Sequence, residues 1–202
     1  MSRAAFFLAA CALALLSNCG GGSPLDNPST VQNPPVQGGQ KLSFVYFQKC
    51  IEPIFVTPIP SPTSPVGGGA ATNTCAGAGC HDDATGAGGA FRIVPSAQIV
   101  DLANPANTPD AIRATDMYKN FYSAQGEVVI GSTTQSRLLA KPLLMNVLHG
   151  GGLVFANDTD PNVKLMQYWI THPMPNGQDE FSSAASAMFT PQDPATGACN
   201  SQ

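Results

Sequence analysis

The chain has 202 residues, of which only 11% are charged, and its formal net charge is −4. This length predicts one folded domain with appendages, and the apolar content is sufficient for a hydrophobic core. The absence of a basic patch argues against nucleic acid as a partner, and the charge is too low for a solvated disordered protein.

Residues 1–19 have the features of a bacterial export signal. Arg3 supplies a positive charge, and the run from Ala4 to Leu16 is apolar but too short for a permanent membrane span. The segment that ends at Cys19 resembles a lipobox, which implies that Cys19 is lipidated and becomes the mature N-terminus. The alternatives are a lipobox ending at Cys11 or an ordinary signal peptide. Each of them predicts export to an oxidising compartment, either on the periplasmic side of a bacterial membrane (the outer membrane is one candidate) or at the cell surface.

Residues 20–40 are predicted to form a flexible tether, because Gly, Pro, Ser, Asn and Gln dominate the segment and leave little to bury. The folded domain is predicted over residues 41–202. Strand signals are sparse, with an extended candidate at 128–130, so the sequence indicates a mainly α fold with long loops.

The predicted helices follow from periodicity and end signals. Thr108 is a predicted N-cap, followed by proline and an acid, and Asp160-Pro161 opens a later helix that Pro173 ends. The other proline-rich and glycine-rich stretches are predicted to be loops. In chain order we expect a helix from about Leu42 to Ile51 limited by Pro53, a loop over 57–74, a flexible piece over 86–90, a helix from 108 to about 122, a shorter helix over 134–144, and the helix that begins at 160.

The segment Cys75-Ala-Gly-Ala-Gly-Cys80-His81 indicates a covalent haem attachment site with a widened spacer. In such sites two thiols bond the haem and the histidine that follows binds the iron, with two residues between the cysteines as a rule. Here the four spacer residues are the small Ala and Gly, which can bulge outward and leave the cysteines a haem edge apart. The competing interpretation is a small-loop disulfide between Cys75 and Cys80.

The six cysteines can all be assigned. Cys11 leaves with the signal peptide, Cys19 takes lipid, and the two cysteines of the motif take haem. Cys50 and Cys199 remain as an even pair in an oxidising compartment, so we expect a disulfide between them.

A haem iron bound by one histidine usually has a second protein ligand on its other face. His149 precedes three glycines, which allow the backbone to pass close to a flat macrocycle. Met174 lies in Pro-Met-Pro and is the alternative, while His172 is more simply a helix C-terminal residue and Met166 a core residue. The other candidates are Met145 and Met188.

Several blocks together resemble the monohaem cytochrome c domains of exported bacterial proteins, including planctomycete-type cytochromes. They are residues 47–55 ahead of the motif, the motif itself, Ser136–Leu143, His149–Gly152 and Leu165–Ile170. The resemblance implies a small helical domain around one covalent haem c, with His81 as proximal ligand. It also implies a distal ligand just before the Trp169-Ile170 helix, at the position of His149.

The function that this resemblance implies is electron transfer by a membrane-tethered carrier rather than an enzyme, with a redox protein as partner. Docking is expected through a modest apolar patch, because the charge is too weak for strong steering. One alternative is a haem enzyme or gas sensor with an open coordination site, in which His149 is a distal acid–base group. Another is a haem-free exported binding module stabilised by disulfides.

Overall fold

The computed structural model describes residues 39–60, 72–182 and 199, all of which belong to one compact unit, Gly39–Gln202. The predicted export signal, nearly all of the predicted tether and Met188 lie outside the described residues. Among the residues described, helices are short and are joined by long turn-rich segments, and the two strands pair in one small antiparallel sheet. The elements are α1 (Phe44–Tyr46), a π-helical segment (Phe47–Ile51), α2 (Glu52–Val56), β1 (Ile59–Pro60), β2 (Thr72–Asn73), α3 (Pro109–Arg113), α4 (Asp116–Gln125), α5 (Arg137–Ala140) and α6 (Pro161–Thr171).

The first helical rod runs without a break from α1 through the π-helical segment into α2. Ser43 caps its start, because the hydroxyl oxygen accepts a hydrogen bond from the Tyr46 N–H at 3.1 Å. The prediction that Pro53 limits this helix is wrong. Pro53 lies in the first turn of α2, where the missing N–H costs little, and the chain stays helical to Val56.

Two of the remaining helix predictions need correction in their extent. The helix that Thr108 caps ends at Arg113, and a second N-cap, Thr115, starts α4. The helix expected over 134–144 is the four-residue α5. Residues 128–130 form a turn with an isolated bridge between Val129 and Ser132 rather than a strand. The helix opened by Asp160 runs as predicted, and Pro173 follows its end.

The core forms where α6 crosses the first helical rod and α4. The Phe47 ring centre lies 5.4 Å from that of Phe121 and 5.5 Å from that of Trp169, and Phe44 also meets Phe121 at 5.4 Å. The indole N–H of Trp169 donates a hydrogen bond of 3.0 Å to the carbonyl of Ser43. We call these four rings the aromatic core. Their contacts join α6 to the N-terminal rod.

Candidate functional site

A cavity of about 660 Å³ opens beside the aromatic core, within the range of about 300–1,000 Å³ that is usual for ligand sites. Its wall is mostly apolar side chains and glycine backbone. All the residues of the motif that were predicted to hold a cofactor lie on it, together with the predicted distal histidine. The described residues that line the cavity include Phe55, Cys75, Cys80, His81, Gly88, Phe91, Glu127, Arg137, Lys141, His149 and Met166.

The spacer between the two cysteines coils into a compact loop. The Cys80 N–H donates to the carbonyl of Gly77 at 2.9 Å, and the His81 N–H donates back to the carbonyl of Cys75 at 3.0 Å. Gly79 takes a φ of +79°, which side chains rarely adopt. The small residues thus let a widened spacer return His81 to the first cysteine.

His81 is held by two contacts, both with Phe91. Its Nδ1 lies 3.0 Å from the carbonyl oxygen of Phe91, and the Phe91 ring packs against the imidazole with centres 4.7 Å apart. A carbonyl only accepts, so Nδ1 carries the proton in this bond and Nε2 keeps its lone pair for a metal. Burial lowers the pKa of His81, and the nearby charges of His149, Lys141 and Arg92 lower it further, against the opposing effect of the Phe91 carbonyl. The ring is therefore neutral near pH 7, as a ligand must be.

His149 is oriented in the same way by its own loop. Its Nδ1 lies 2.8 Å from the carbonyl oxygen of Gly152, and the Gly152 N–H donates to the carbonyl of His149 at 2.9 Å. Gly152 reaches this position with a φ of +73°. The Nδ1 proton is again committed to a backbone carbonyl, which leaves Nε2 as the nitrogen with a lone pair.

The two histidines face the same cavity with parallel rings. Their ring planes differ by 9°, and their centres lie 6.2 Å apart. That separation is too large for van der Waals contact between stacked rings, which needs about 3.5–4 Å between carbon atoms. The pair belongs to distant parts of the chain, so the fold rather than local sequence creates this arrangement.

Cys75 and Cys80 both line the cavity and are not joined by a disulfide. Burial raises the pKa of the Cys75 thiol to about 11, with a further contribution from Cys80. Cys75 therefore stays a thiol at neutral pH. A buried, protonated thiol is a poor nucleophile on its own.

Of the other ligand candidates among the described residues, Met166 lies on the cavity wall, whereas Met145, His172 and Met174 do not line it. Met174 is fully buried in the core, where its N–H donates to the Lys41 carbonyl at 2.7 Å, and it is not among the described residues that line the cavity. His172 ends α6 with its ring stacked on Tyr168 at 3.8 Å between centres. Met166 is buried and does line the cavity, and Met145 is 40% exposed.

The structure joins Cys50 to Cys199 by a disulfide, the pair expected from the cysteine count, with Cα atoms 6.1 Å apart. This bond links the first helical rod to the C-terminal region across 149 positions of sequence. It involves neither cysteine of the cavity.

Three features of the site were missed from the sequence. Residues 86–90 were expected to be flexible, yet the Gly88 N–H donates to the Cys80 carbonyl at 2.7 Å, and a Cβ at Gly88 would collide with the His81 ring. The carbonyl of Phe91 orients His81, and the cations Arg137 and Lys141 line the cavity. The close approach of Gly88 to the His81 ring is visible only in the folded structure, so Gly88 could not be recognised as part of the site from its place in the sequence.

Comparison with known proteins gives this site no relative: no protein-family model, no curated protein and no solved structure matches the chain. In the described ranges, no group of three or more His, Cys, Asp or Glu side chains is placed to hold a metal ion. No helix in those ranges has the length and apolar character needed to cross a membrane.

Proposed function

We propose that the protein is an electron carrier: a mainly α, cytochrome c-like domain with one covalent haem c, bound by Cys75 and Cys80 and ligated by His81 and His149. The observation that carries this proposal is the parallel pair of histidines, 6.2 Å apart between ring centres, at a cavity that also presents both cysteines. Two imidazoles on opposite sides of one iron, each with a metal–nitrogen bond of about 2 Å, have ring centres about 6 Å apart.

The donor set fits a haem in two further respects. Both Nδ1 protons bond to backbone carbonyls, so both Nε2 atoms are ready to bind without a change of tautomer. His81 and His149 would supply two ligands to the iron, and a haem macrocycle would supply the remaining donors. The apolar wall around them, including Phe55, Phe91 and Met166, suits the flat ring.

Attachment uses the two cavity thiols. Cys75 and Cys80 would hold the haem through thioether bonds to its two vinyl groups; each bond would add a thiol S–H across a C=C bond and so would need no oxidant.

Electron exchange is proposed to occur across the protein surface next to His149. The preceding loop exposes Leu144, Met145 and Leu148, the last at 91%. Exposed apolar side chains beside a ligand offer a redox partner protein a small docking patch that needs no strong charge steering. A lipid on Cys19 and the tether over 20–40 would hold the domain at the periplasmic side of a bacterial membrane or at the cell surface.

The experiment expresses the chain with cytochrome c maturation machinery and measures haem that survives denaturation, together with optical spectra. The wild-type chain is expected to carry one covalent haem with a low-spin ferric spectrum, and the Cys75→Ala, Cys80→Ala double variant to lose covalent haem. Full retention of haem in the double variant contradicts the attachment.

The distal ligand is tested in the same preparation with a matched pair of histidine variants. His149→Ala is expected to convert low-spin iron to high-spin, whereas His172→Ala, outside the cavity, keeps the wild-type spectrum. A near-infrared band typical of methionine ligation that survives in His149→Ala would assign Met174 instead. Because methionine ligation raises the reduction potential, the histidine pair is expected to give a lower potential than a His/Met haem.

A further inference from the structure

The cavity wall carries charges that the ligand set does not use. Among the described lining residues, the cations other than the histidines are Arg137 and Lys141, and the acid is Glu127. Arg137 begins α5 and Lys141 is its C-cap, four residues on, so both lie on the same face of the helix. A cavity that is mostly apolar thus carries two cations on the helix α5.

Of these two cations, Arg137 has an anionic partner, Glu127, whereas Lys141 has none among the described residues. Arg137 Nε lies 3.9 Å from a Glu127 carboxylate oxygen, which is a long ion pair. The Arg137 side chain is 63% exposed. Lys141 is half-buried, and no ion pair among the described residues includes it. Placing a half-buried cation in a mostly apolar cavity without a counter-charge is costly, so the position of Lys141 favours an anionic ligand, and the exposed Arg137 one turn away adds a second positive charge. Lys141 is also near enough to His81 for its charge to act on that ring.

We infer that Arg137 and Lys141 bind the two carboxylates of the haem, which fixes which edge of the macrocycle faces α5. This inference rests on the function proposed above. A haem carries two propionate groups on one edge, and guanidinium and ammonium groups are the donors that bind carboxylates by charge-assisted hydrogen bonds. The vinyl edge, which the cysteines require, then faces the Cys75–Cys80 loop.

The test uses the holoprotein and three glutamine variants. Arg137→Gln and Lys141→Gln remove the proposed cations. Lys164→Gln is the matched control, since Lys164 is also half-buried but lies on α6 and is not among the lining residues. The readouts are the propionate bending bands in the resonance Raman spectrum and the pH dependence of the midpoint potential.

Lys141→Gln is expected to shift the propionate bands and to move the acid-side inflection of the potential upward by about one pH unit, because a carboxylate that loses a cationic neighbour becomes easier to protonate. The potential itself falls, since removing a positive charge favours the oxidised iron. Arg137→Gln shifts the same bands, and Lys164→Gln changes neither readout. Lys141→Arg keeps the charge and is expected to retain the wild-type inflection, which separates the charge from any loss of folding.

Two results would overturn different statements. Propionate bands that are unmoved in an Arg137→Gln, Lys141→Gln double variant with haem bound would overturn this assignment and leave the electron carrier standing. A wild-type chain that matures without haem would overturn the proposed function on which the assignment rests.

Discussion

The aromatic core and the cavity wall lie side by side and are built in opposite ways. The core rings come from helices and touch one another directly, as Phe47 does Phe121 and Trp169. The cavity wall comes mainly from loops, and its histidines are held by hydrogen bonds to backbone carbonyls. Stability is therefore expected to reside in the first region and ligand geometry in the second.

Phe55 is the residue at which the two regions meet. Its ring contacts Phe47 of the core, at 6.2 Å between centres, and Phe91 behind His81, at 5.2 Å. Phe55 also lines the cavity. The site is thus supported by packed rings, although its two histidines belong to loops.

The largest expected effect is on the core. Trp169→Ala deletes a fully buried ring and leaves the Ser43 carbonyl without the indole donor. The free energy of unfolding is expected to fall by about 3–5 kcal/mol, as for other buried aromatic truncations. Urea denaturation followed by circular dichroism measures it. Leu148→Ala removes an exposed side chain beside the site and serves as the control with little change; equal losses in both variants would contradict the division between the two regions.

The next largest effect concerns the buried carboxyl group of Glu52. Glu52 is buried, and one carboxylate oxygen accepts a bond of 2.8 Å from the Asn120 amide. The other oxygen has no hydrogen-bond partner among the residues that the structure describes. Burial raises the pKa of Glu52 to about 7, against a smaller opposing effect of Asn120. In Glu180 burial also raises the pKa, but a backbone hydrogen bond together with the side-chain bonds from Arg113 and Tyr118 outweighs burial, so the pKa is lowered.

Because the folded state holds the Glu52 proton more tightly than the unfolded chain, its contribution to stability is complete below about pH 4.5 and is lost as the pH rises through about 7. The loss is expected to be about 3 kcal/mol. Glu52→Gln stays neutral and should flatten this pH dependence between pH 5 and 8, as measured by urea denaturation. Parallel pH curves for the variant and the wild type would disprove the assignment to Glu52.

The smallest expected effect on stability falls on the cavity wall. Gly88→Ala places a Cβ against the His81 ring and 2.7 Å from the Cys80 carbonyl oxygen, so the ring must move. We expect a stability loss of about 1–3 kcal/mol, together with a loss of low-spin haem that is large by comparison. Gly126→Ala is the control, since Gly126 has a φ of −61° and is not among the lining residues. A normal low-spin spectrum in Gly88→Ala would show that His81 does not depend on this contact.

What the sequence predicts well here depends on short-range chemistry. Thr108 and Asp160 cap the helices they were expected to cap, because a cap needs only neighbouring residues. The break after Arg113 was missed, since a second cap at Thr115 competes with a continuous helix. The candidate ligands were recognisable by residue type. The carbonyl of Phe91, which fixes the proton of His81 on Nδ1, could not be predicted, because every residue has a backbone carbonyl and its contacts depend on the fold.

The π-helical segment Phe47–Ile51 sets the rotational register of the N-terminal rod. A π turn accommodates one residue more than an α turn, and each residue of an α-helix turns the chain by about 100°. Removing one residue from this segment would restore a plain α-helix and swing α2 about its axis by that angle. Phe55 would then leave both Phe47 and Phe91 while the residues before the segment kept their places. The π-helical segment thus allows the part of the rod that precedes it to direct Phe44 into the aromatic core, and the part that follows it to direct Phe55 to the cavity wall.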